Sequence, residues 1–124
     1  MDLAKRREDF PALCEDQPVA YLDNACVTLR PNSVINAISD YYTKTPGCGG
    51  RSVHRFGTTV SKTIANSRRK LGQFFNAPSV HEIVFTRNAT HSLNQVAKGL
   101  SWEKGDVVLT TDREHNSNLV PWLQ

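Results

Sequence analysis

Apolar side chains recur at helical spacing along three stretches of the sequence, and this period predicts a helix over each of them. The three stretches are residues 31–44, about 58–75 and 90–101. Pro31 suits the first turn of the first helix, where its missing N–H costs nothing. A short and strongly charged helix is also predicted for residues 2–9, ending before Pro11.

Shorter apolar runs between the helices predict strands at residues 19–22, 82–86 and 106–111. From residue 82 onward the predicted order is strand, helix, strand, which implies a crossover connection and a parallel sheet. A parallel sheet of two or three strands is a poor domain, because both of its faces need covering. We therefore expect an α/β fold that is incomplete within these 124 residues, and we interpret the chain as a fragment.

Composition and charge narrow the class of protein without identifying it. The chain has 39% hydrophobic and 22% charged residues, which is typical of a globular domain. Its net charge of +3 is too small and too dispersed to predict a nucleic-acid partner. No run reaches the roughly 20 apolar residues of a membrane span, so no membrane association is expected. Residues 1–9 mix acids with bases, unlike a secretory signal or a transit peptide.

The cysteines and histidines predict neither a disulfide framework nor a metal site. Cys14, Cys26 and Cys48 form no CxxC pair, and an odd count without a signal peptide disfavours disulfides. The four histidines are widely scattered, so no zinc site is expected. Reduced thiols and a cytoplasmic location are the interpretation that follows.

Residues 86–94 are the first candidate for chemistry, because they connect a predicted strand to a predicted helix. The first N–H groups of a helix and the positive end of its dipole attract anions. Thr90 or Ser92 can add a hydroxyl donor there, and the small Ala89 lets a phosphate approach the backbone. The segment is neither a P-loop nor a GxGxxG motif. The local residues alone favour a simpler interpretation, in which Thr90 only caps the helix.

Residues 112–118 are the second candidate, since they follow the predicted strand that ends at Thr111. Ligands of open parallel sheets gather beyond the carboxyl ends of the strands, so Thr90 and His115 are expected at one crevice. His115 can exchange a proton near neutral pH and can stack its ring on another ring. The alternative is that His115 is a solvated histidine of the loop.

The glycine-rich, basic segment 49–55 is the third candidate. It either offers arginine to a carboxylate or phosphate, or it forms a solvated loop.

Four short motifs, in register along the chain, carry a resemblance to a known family. They are Tyr21-Leu22-Asp23-Asn24-Ala25, Val53-His54-Arg55, Arg87-Asn88-Ala89-Thr90 and Glu114-His115-Asn116-Ser117-Asn118-Leu119-Val120-Pro121-Trp122. With these motifs, about residues 10 to 124 resemble the N-terminal third of the cysteine desulfurases and selenocysteine lyases. Those proteins are pyridoxal-phosphate enzymes of the class V aminotransferase type.

The resemblance implies pyridoxal 5'-phosphate as the cofactor and assigns roles around it. Ala89 and Thr90 would lie at the cofactor phosphate. His115 would stack on the pyridine ring and assist proton transfer during cleavage of the C–S bond. The substrate entrance would be lined by Asn24, Ala25, His54 and Arg55. The last two of these would reach across a dimer interface.

The family's fold implies where the chain belongs within a larger protein. That fold is a seven-stranded, mostly parallel sheet with helices on both sides, plus a smaller domain. The chain would be the N-terminal part of the large domain of a pyridoxal-phosphate-dependent transferase of fold type I. Residues 1–56 would form N-terminal helices and the substrate-entrance loop, and residues 57–124 the start of the cofactor-binding domain. The family often has threonine at position 89 and an acid at position 91, where this chain has Ala89 and His91.

The activity implied is cleavage of the C–S bond of L-cysteine, giving alanine and an enzyme persulfide that supplies sulfur for iron–sulfur cluster assembly. A homodimer and a sulfur-acceptor protein are the implied partners. The family's cofactor-anchoring lysine follows a histidine, and no lysine of this chain does, so the chain alone is expected to be inactive. The persulfide cysteine also lies further along in the family. Two alternatives stay open: another class V enzyme (a selenocysteine lyase, an epimerase or a kynureninase-like enzyme), or a non-catalytic module that binds a phosphorylated ligand.

Overall fold

The computed structural model describes residues 3–14 and 19–123, and within them helices are the only regular secondary structure. The α-helices are α1 (Leu3–Arg7), α2 (Asn32–Lys44), α3 (Arg55–Phe74), α4 (Ala89–Gly99) and α5 (Asn116–Leu119). Short 3-10 helices cover Pro11–Leu13, Val80–Glu82 and Val120–Trp122. Every predicted site residue therefore lies in a helix, directly before one, or in a turn between helices.

The helices predicted from apolar spacing are confirmed, with small differences at their starts and ends. α2 begins directly after Pro31, whose extended backbone makes it the residue before the first helical turn. α3 begins at Arg55 rather than at about residue 58, because the Thr58 N–H already donates to the His54 carbonyl at 3.0 Å. The charged helix predicted over residues 2–9 is present as α1, and residue 2 lies outside the described residues.

The predicted strands and the parallel sheet are not confirmed, because the described part of the chain contains no strand. The backbone is irregular over residues 19–22, 83–86 and 106–111. Glu82, predicted as the start of a strand, instead ends a 3-10 helix. The physical reason is that a strand needs a neighbour for its N–H and C=O groups, which apolar composition does not supply. Most apolar side chains of these segments stay exposed, with Val107 at 85% and Leu109 at 95%.

Contacts within the chain group into two units, residues 1–70 and residues 71–124. The boundary between them lies inside α3. The predicted division after residue 56 would fall in the first turn of that helix, and it stays a prediction. In the first unit, the Asn32 N–H donates to the Asp9 carbonyl at 2.7 Å, which ties the start of α2 to the residues that follow α1.

In the second unit, α4 packs against α5 and against the 3-10 helix Val120–Trp122. Ala97 of α4 is buried in this unit, with 6% of its surface exposed. The Trp102 Nε1–H donates to the Ala97 carbonyl at 2.8 Å, and the Trp102 and Trp122 rings meet edge to face at 6.0 Å. The apolar stripe of α4 is only partly covered, since Val96 is 53% exposed. This packing holds together the helices that carry the predicted site residues Thr90 and His115.

Candidate functional site

The start of α4 is capped by Asn88 and not by Thr90. The Asn88 backbone is extended, and its side-chain Oδ1 accepts the His91 N–H at 2.9 Å. The Ser92 N–H donates to the Asn88 carbonyl at 3.1 Å, which closes the first turn. Thr90 is the second residue of the helix, so the interpretation that Thr90 caps it is wrong.

This cap leaves two backbone donors open at the positive end of α4. Within residues 3–14 and 19–123, no acceptor receives the N–H of Ala89 or of Thr90. Both residues are exposed, and Ala89 is small enough to let a ligand reach the backbone. Open N–H groups at a helix start, together with the helix dipole, suit a phosphate. Thr90 can add its hydroxyl to these donors.

Ser92, the other hydroxyl predicted for an anion, is occupied within the protein. Its Oγ lies 2.6 Å from Thr86 Oγ1 and 3.3 Å from the Asn88 carbonyl. His91 also faces back along the chain, and its Nδ1 accepts the Arg87 N–H at 3.4 Å. These contacts fix the turn before α4 and leave Thr90 as the hydroxyl available to a ligand.

His115 is the residue directly before α5, and its ring caps that helix. Its Nδ1 accepts the Ser117 N–H at 3.1 Å and lies 2.8 Å from Ser117 Oγ. Because Nδ1 acts as an acceptor, the proton of the neutral ring is on Nε2. The side chain of His115 is exposed, so Nε2 is available to a ligand. A common crevice for Thr90 and His115 stays a prediction, although the helices that carry them pack together.

Glu114 was missed by the sequence analysis, and it is the best-connected side chain of this loop. Its Oε1 accepts the Thr111 hydroxyl at 2.9 Å, and its Oε2 accepts the Asn118 amide at 2.8 Å. The hydrogen bond from Asn118, and to a smaller extent the one from Thr111, lowers the pKa of the Glu114 carboxyl from its usual value. The signal was the spacing of three and four residues between these polar side chains, which is short enough for them to meet around one loop.

The predicted substrate-entrance residues lie in two separate places of the first unit. Asn24 and Ala25 form the tip of a turn that is fixed by the Tyr21 hydroxyl, which donates to the Val27 carbonyl at 2.5 Å. His54 comes directly before α3, and its Nδ1 accepts the Gly57 N–H at 3.5 Å. Within the described residues no hydrogen bond joins that turn to His54 or to its neighbour.

Arg55 is the first residue of α3, and its guanidinium is held over the adjacent aromatic ring. Its Cζ lies 4.9 Å from the centroid of Phe56, which restrains the charged group without pairing it. Such an arginine stays able to bind a carboxylate or a phosphate.

The glycine-rich loop before Arg55 is anchored on α3. The Gly50 N–H donates to Ser61 Oγ at 2.8 Å. A Cβ at Gly57 would approach the Cβ of Ser52 to 2.5 Å, so glycine is needed where the loop meets the first turn of α3. The loop is thus attached to α3, while Arg51 and Val53 stay exposed, so both alternatives for this segment stay open.

Other features of the molecule do not coincide with the predicted site. A cavity of about 770 Å³ lies between α2, the loop residues 47–49 and α3, and Gly49 is the one residue of the candidate segments that lines it. Cys14, Cys26 and Cys48 are all free and exposed. No helix in residues 3–14 or 19–123 has the length and apolar character to cross a bilayer. The same residues contain no group of three or more side chains able to hold a metal ion.

The sequence and the structure are similar to known proteins over nearly the whole chain. Residues 20–124 match the family model described as aminotransferase class-V. A probable cysteine desulfurase of Streptomyces coelicolor is 35% identical, covering 98% of this chain and 32% of the relative. A probable cysteine desulfurase of Pyrococcus abyssi is 41% identical, covering 94% of this chain and 28% of the relative.

Among solved structures, the apo cysteine desulfurase of Thermococcus onnurineus matches with a TM-score of 0.85 at 38% sequence identity. The match covers 97% of this chain and 30% of that protein. The chain thus spans about a third or less of the length of the proteins it matches. The family resemblance drawn from the four motifs is confirmed, and the chain belongs to the aminotransferase class-V family.

Proposed function

We propose that this chain is the N-terminal part of a pyridoxal-phosphate-dependent cysteine desulfurase. The reaction moves the sulfur of L-cysteine to an enzyme thiol, which gives alanine and an enzyme persulfide. The observation that carries the proposal is the start of α4, which keeps the N–H groups of Ala89 and Thr90 open at a helix end. In the whole protein, we propose that residues 83–86 and 106–111 pair as strands of a parallel sheet flanked by helices.

The residues at the start of α4 fit the phosphate of the cofactor. The N–H groups of Ala89 and Thr90 and the Thr90 hydroxyl offer three donors at the positive end of the helix dipole. A hydrogen bond to a charged group is worth about 1.5–3 kcal/mol, so three donors suffice to anchor a phosphate. The missing threonine at position 89 removes one further hydroxyl from this set.

His115 fits the aromatic part of the cofactor and a role in proton transfer. Its ring is exposed, and its Nδ1 accepts the Ser117 N–H of α5, which leaves the protonated Nε2 available to a ligand. When bound, pyridoxal phosphate supplies an electron sink for charge that develops on the amino-acid substrate. Nε2 of His115 then holds a proton for transfer to the substrate, and the ring face stacks on the cofactor.

The substrate entrance is proposed at the turn of Asn24 and Ala25 and at the start of α3. Arg55 is a cation suited to the substrate carboxylate, and His54 adds a second polar group next to it. These two residues are proposed to reach the active site of a partner subunit in a homodimer. The lysine that anchors the cofactor and the persulfide cysteine belong to other parts of the protein, as does the surface for a sulfur-acceptor protein.

The function is tested on the natural protein that carries this chain, supplied with pyridoxal phosphate and L-cysteine. Alanine and reducible sulfur are expected in equal amounts. His115→Ala is expected to lower kcat at least about 100-fold, the usual effect of losing a proton-transfer group. Thr90→Val is expected to weaken cofactor binding, while Thr63→Val, an exposed threonine of α3, is the matched control and is expected to behave like wild type.

Other outcomes of the same assay would contradict the proposal in distinguishable ways. Turnover of selenocysteine without cysteine would indicate a selenocysteine lyase. Racemisation or cleavage of another amino acid would indicate a different class V enzyme. Binding of pyridoxal phosphate or inorganic phosphate without turnover of any amino acid would indicate a non-catalytic module.

A further inference from the structure

The conformation of α5 needs support from outside the helix. α5 has four residues, and a helix this short is not stable through its own hydrogen bonds. It nevertheless forms the cap in which the Ser117 N–H donates to His115 Nδ1. Other contacts must therefore fix this turn: α5 packs against α4, and the side chain of Glu114 adds hydrogen bonds.

Glu114 connects the two ends of the segment that carries His115. One carboxylate oxygen accepts the hydroxyl of Thr111, which precedes the loop, at 2.9 Å. The other accepts the amide of Asn118, in the last turn of α5, at 2.8 Å. His115 lies between these two attachment points, so its backbone position is set from both sides.

The same contacts continue from α5 to α4. Asn118 Oδ1 accepts the Trp122 Nε1–H at 3.2 Å. The Trp122 ring packs edge to face on Trp102, which donates to the carbonyl of the buried Ala97. The orientation of Asn118 is thus fixed as well, since its oxygen faces Trp122 and its amide faces Glu114.

An ionised carboxylate accepts both of these hydrogen bonds at once, one at each oxygen. A glutamine could accept from Asn118 only if its NH₂ group faced Thr111, and the hydrogen bond to the threonine hydroxyl would then run in the opposite direction. The hydrogen bonds from Asn118 and Thr111 lower the pKa of Glu114, so the carboxyl is ionised at neutral pH.

We infer that Glu114 is a positioning residue for His115. Through Thr111 and Asn118 it holds the cap in which Nδ1 of His115 faces the Ser117 N–H, so that the ring proton stays on Nε2. This inference rests on the proposed function, in which Nε2 of His115 carries the proton used in the reaction. Glu114 itself touches neither the substrate nor the cofactor in this role.

The tautomer of His115 is the readout that tests the inference without bound cofactor. Selective ¹⁵N labelling of histidine in the intact natural protein distinguishes a protonated from an unprotonated ring nitrogen, and His115→Gln identifies the signals. We expect an unprotonated Nδ1 and a protonated Nε2 in the wild type. In Glu114→Ala we expect both nitrogens to shift toward the average of the two tautomers. Signals that are unchanged in Glu114→Ala would overturn the inference.

Two further variants keep the test decisive. Thr111→Val removes one donor to Glu114 with little change of shape, so it reports even if Glu114→Ala does not fold; a smaller shift in the same direction is expected. Asp112→Ala removes a neighbouring exposed carboxylate that makes no hydrogen bond in the described part of the chain. It is expected to give the wild-type signals, and a shift as large as that of Glu114→Ala would overturn the inference.

Kinetics separate this inference from the proposed function. Glu114→Ala is expected to lower kcat roughly 10- to 100-fold, the cost of a misplaced reactive group, with little change of KM. If the natural protein converts no cysteine while the His115 tautomer still depends on Glu114, the proposed function fails and the positioning role remains. If cysteine is converted and Glu114→Ala changes neither kcat nor the tautomer, the positioning role fails and the function remains.

Discussion

The starts of α4 and α5 are built on the same principle and differ in what they leave free. At α4, the Asn88 side chain accepts the His91 N–H, and the first two helical N–H groups stay open. At α5, the cap is the reactive group itself, because the His115 ring accepts the Ser117 N–H. α4 has 11 residues and α5 has 4.

The difference in length explains the difference in design. A helix of three turns is held by its own hydrogen bonds and by packing, so it can offer its first donors to a ligand. A single turn such as α5 is not held by its own hydrogen bonds, so the His115 ring at its start needs support from the side chains around it. Glu114, Asn118 and Trp122 give α5 that support.

The largest expected effect is a loss of cofactor binding at the start of α4 without a loss of helix stability. Thr90→Glu places a negative charge among the donors for the phosphate, and like charges this close weaken binding by several kcal/mol, or roughly 100-fold and more. The helix itself is not expected to weaken, because an acid near a helix start suits the dipole. Titration of the natural protein with pyridoxal phosphate measures the first effect. Thr63→Glu on α3 is the control for charge alone, and equal losses in both variants would contradict the site.

Removing the cap of α4 is expected to cost less and to affect stability first. Asn88→Ala loses the acceptor for the His91 N–H, which is worth about 1 kcal/mol. Amide hydrogen exchange in the first turn of α4 should become roughly five-fold faster, the factor that this energy implies. Asn88→Ser keeps a capping oxygen and should retain most of the protection. Equal exchange in wild type and Asn88→Ala would show that the cap contributes nothing.

The difference between the two helix starts also explains how much the sequence could predict. α2, α3 and α4 are long enough for their apolar period to appear in the sequence, so their positions could be predicted closely. Residues 106–111 have the composition of a strand, but a strand exists only beside a partner, and composition says nothing about the partner.

The candidate site could be predicted only in part, for a similar reason. Thr90 and His115 could be proposed because each lies in a polar segment that follows a predicted strand. The cap at Asn88 and the support by Glu114 were missed, because both depend on which of several nearby polar side chains reaches a given donor. Spacing narrows that choice, and the three-dimensional arrangement decides it.

A smaller effect is expected on how the free energy of unfolding depends on pH, through Glu114 beside α5. The first turn of α4 has no acidic residue that could have the same effect. The pKa of Glu114 is lower in the folded protein than in the unfolded chain, so the ionised carboxylate stabilises the fold at pH values above the unfolded-state pKa. This stabilisation is lost as the pH falls through the pKa of Glu114 in the folded protein. Urea unfolding followed by tryptophan fluorescence should show wild type and Glu114→Gln converging as the solution becomes acidic. A constant difference between them at all pH values would contradict this.

The smallest expected effect comes from giving α4 a carboxylate of its own. In His91→Glu, the acid can accept an N–H at the start of the helix, where the His91 ring now accepts the Arg87 N–H at 3.4 Å, and it also interacts favourably with the dipole. A gain of about 0.3–1 kcal/mol is expected at low salt, falling as salt is added. His91→Gln separates the two causes, since glutamine can accept the N–H without adding charge. A gain confined to His91→Glu would assign the effect to the dipole, and an equal gain in both variants would assign it to the hydrogen bond. No gain in either variant would contradict the prediction and show that the imidazole stabilises this turn as well as an acid does.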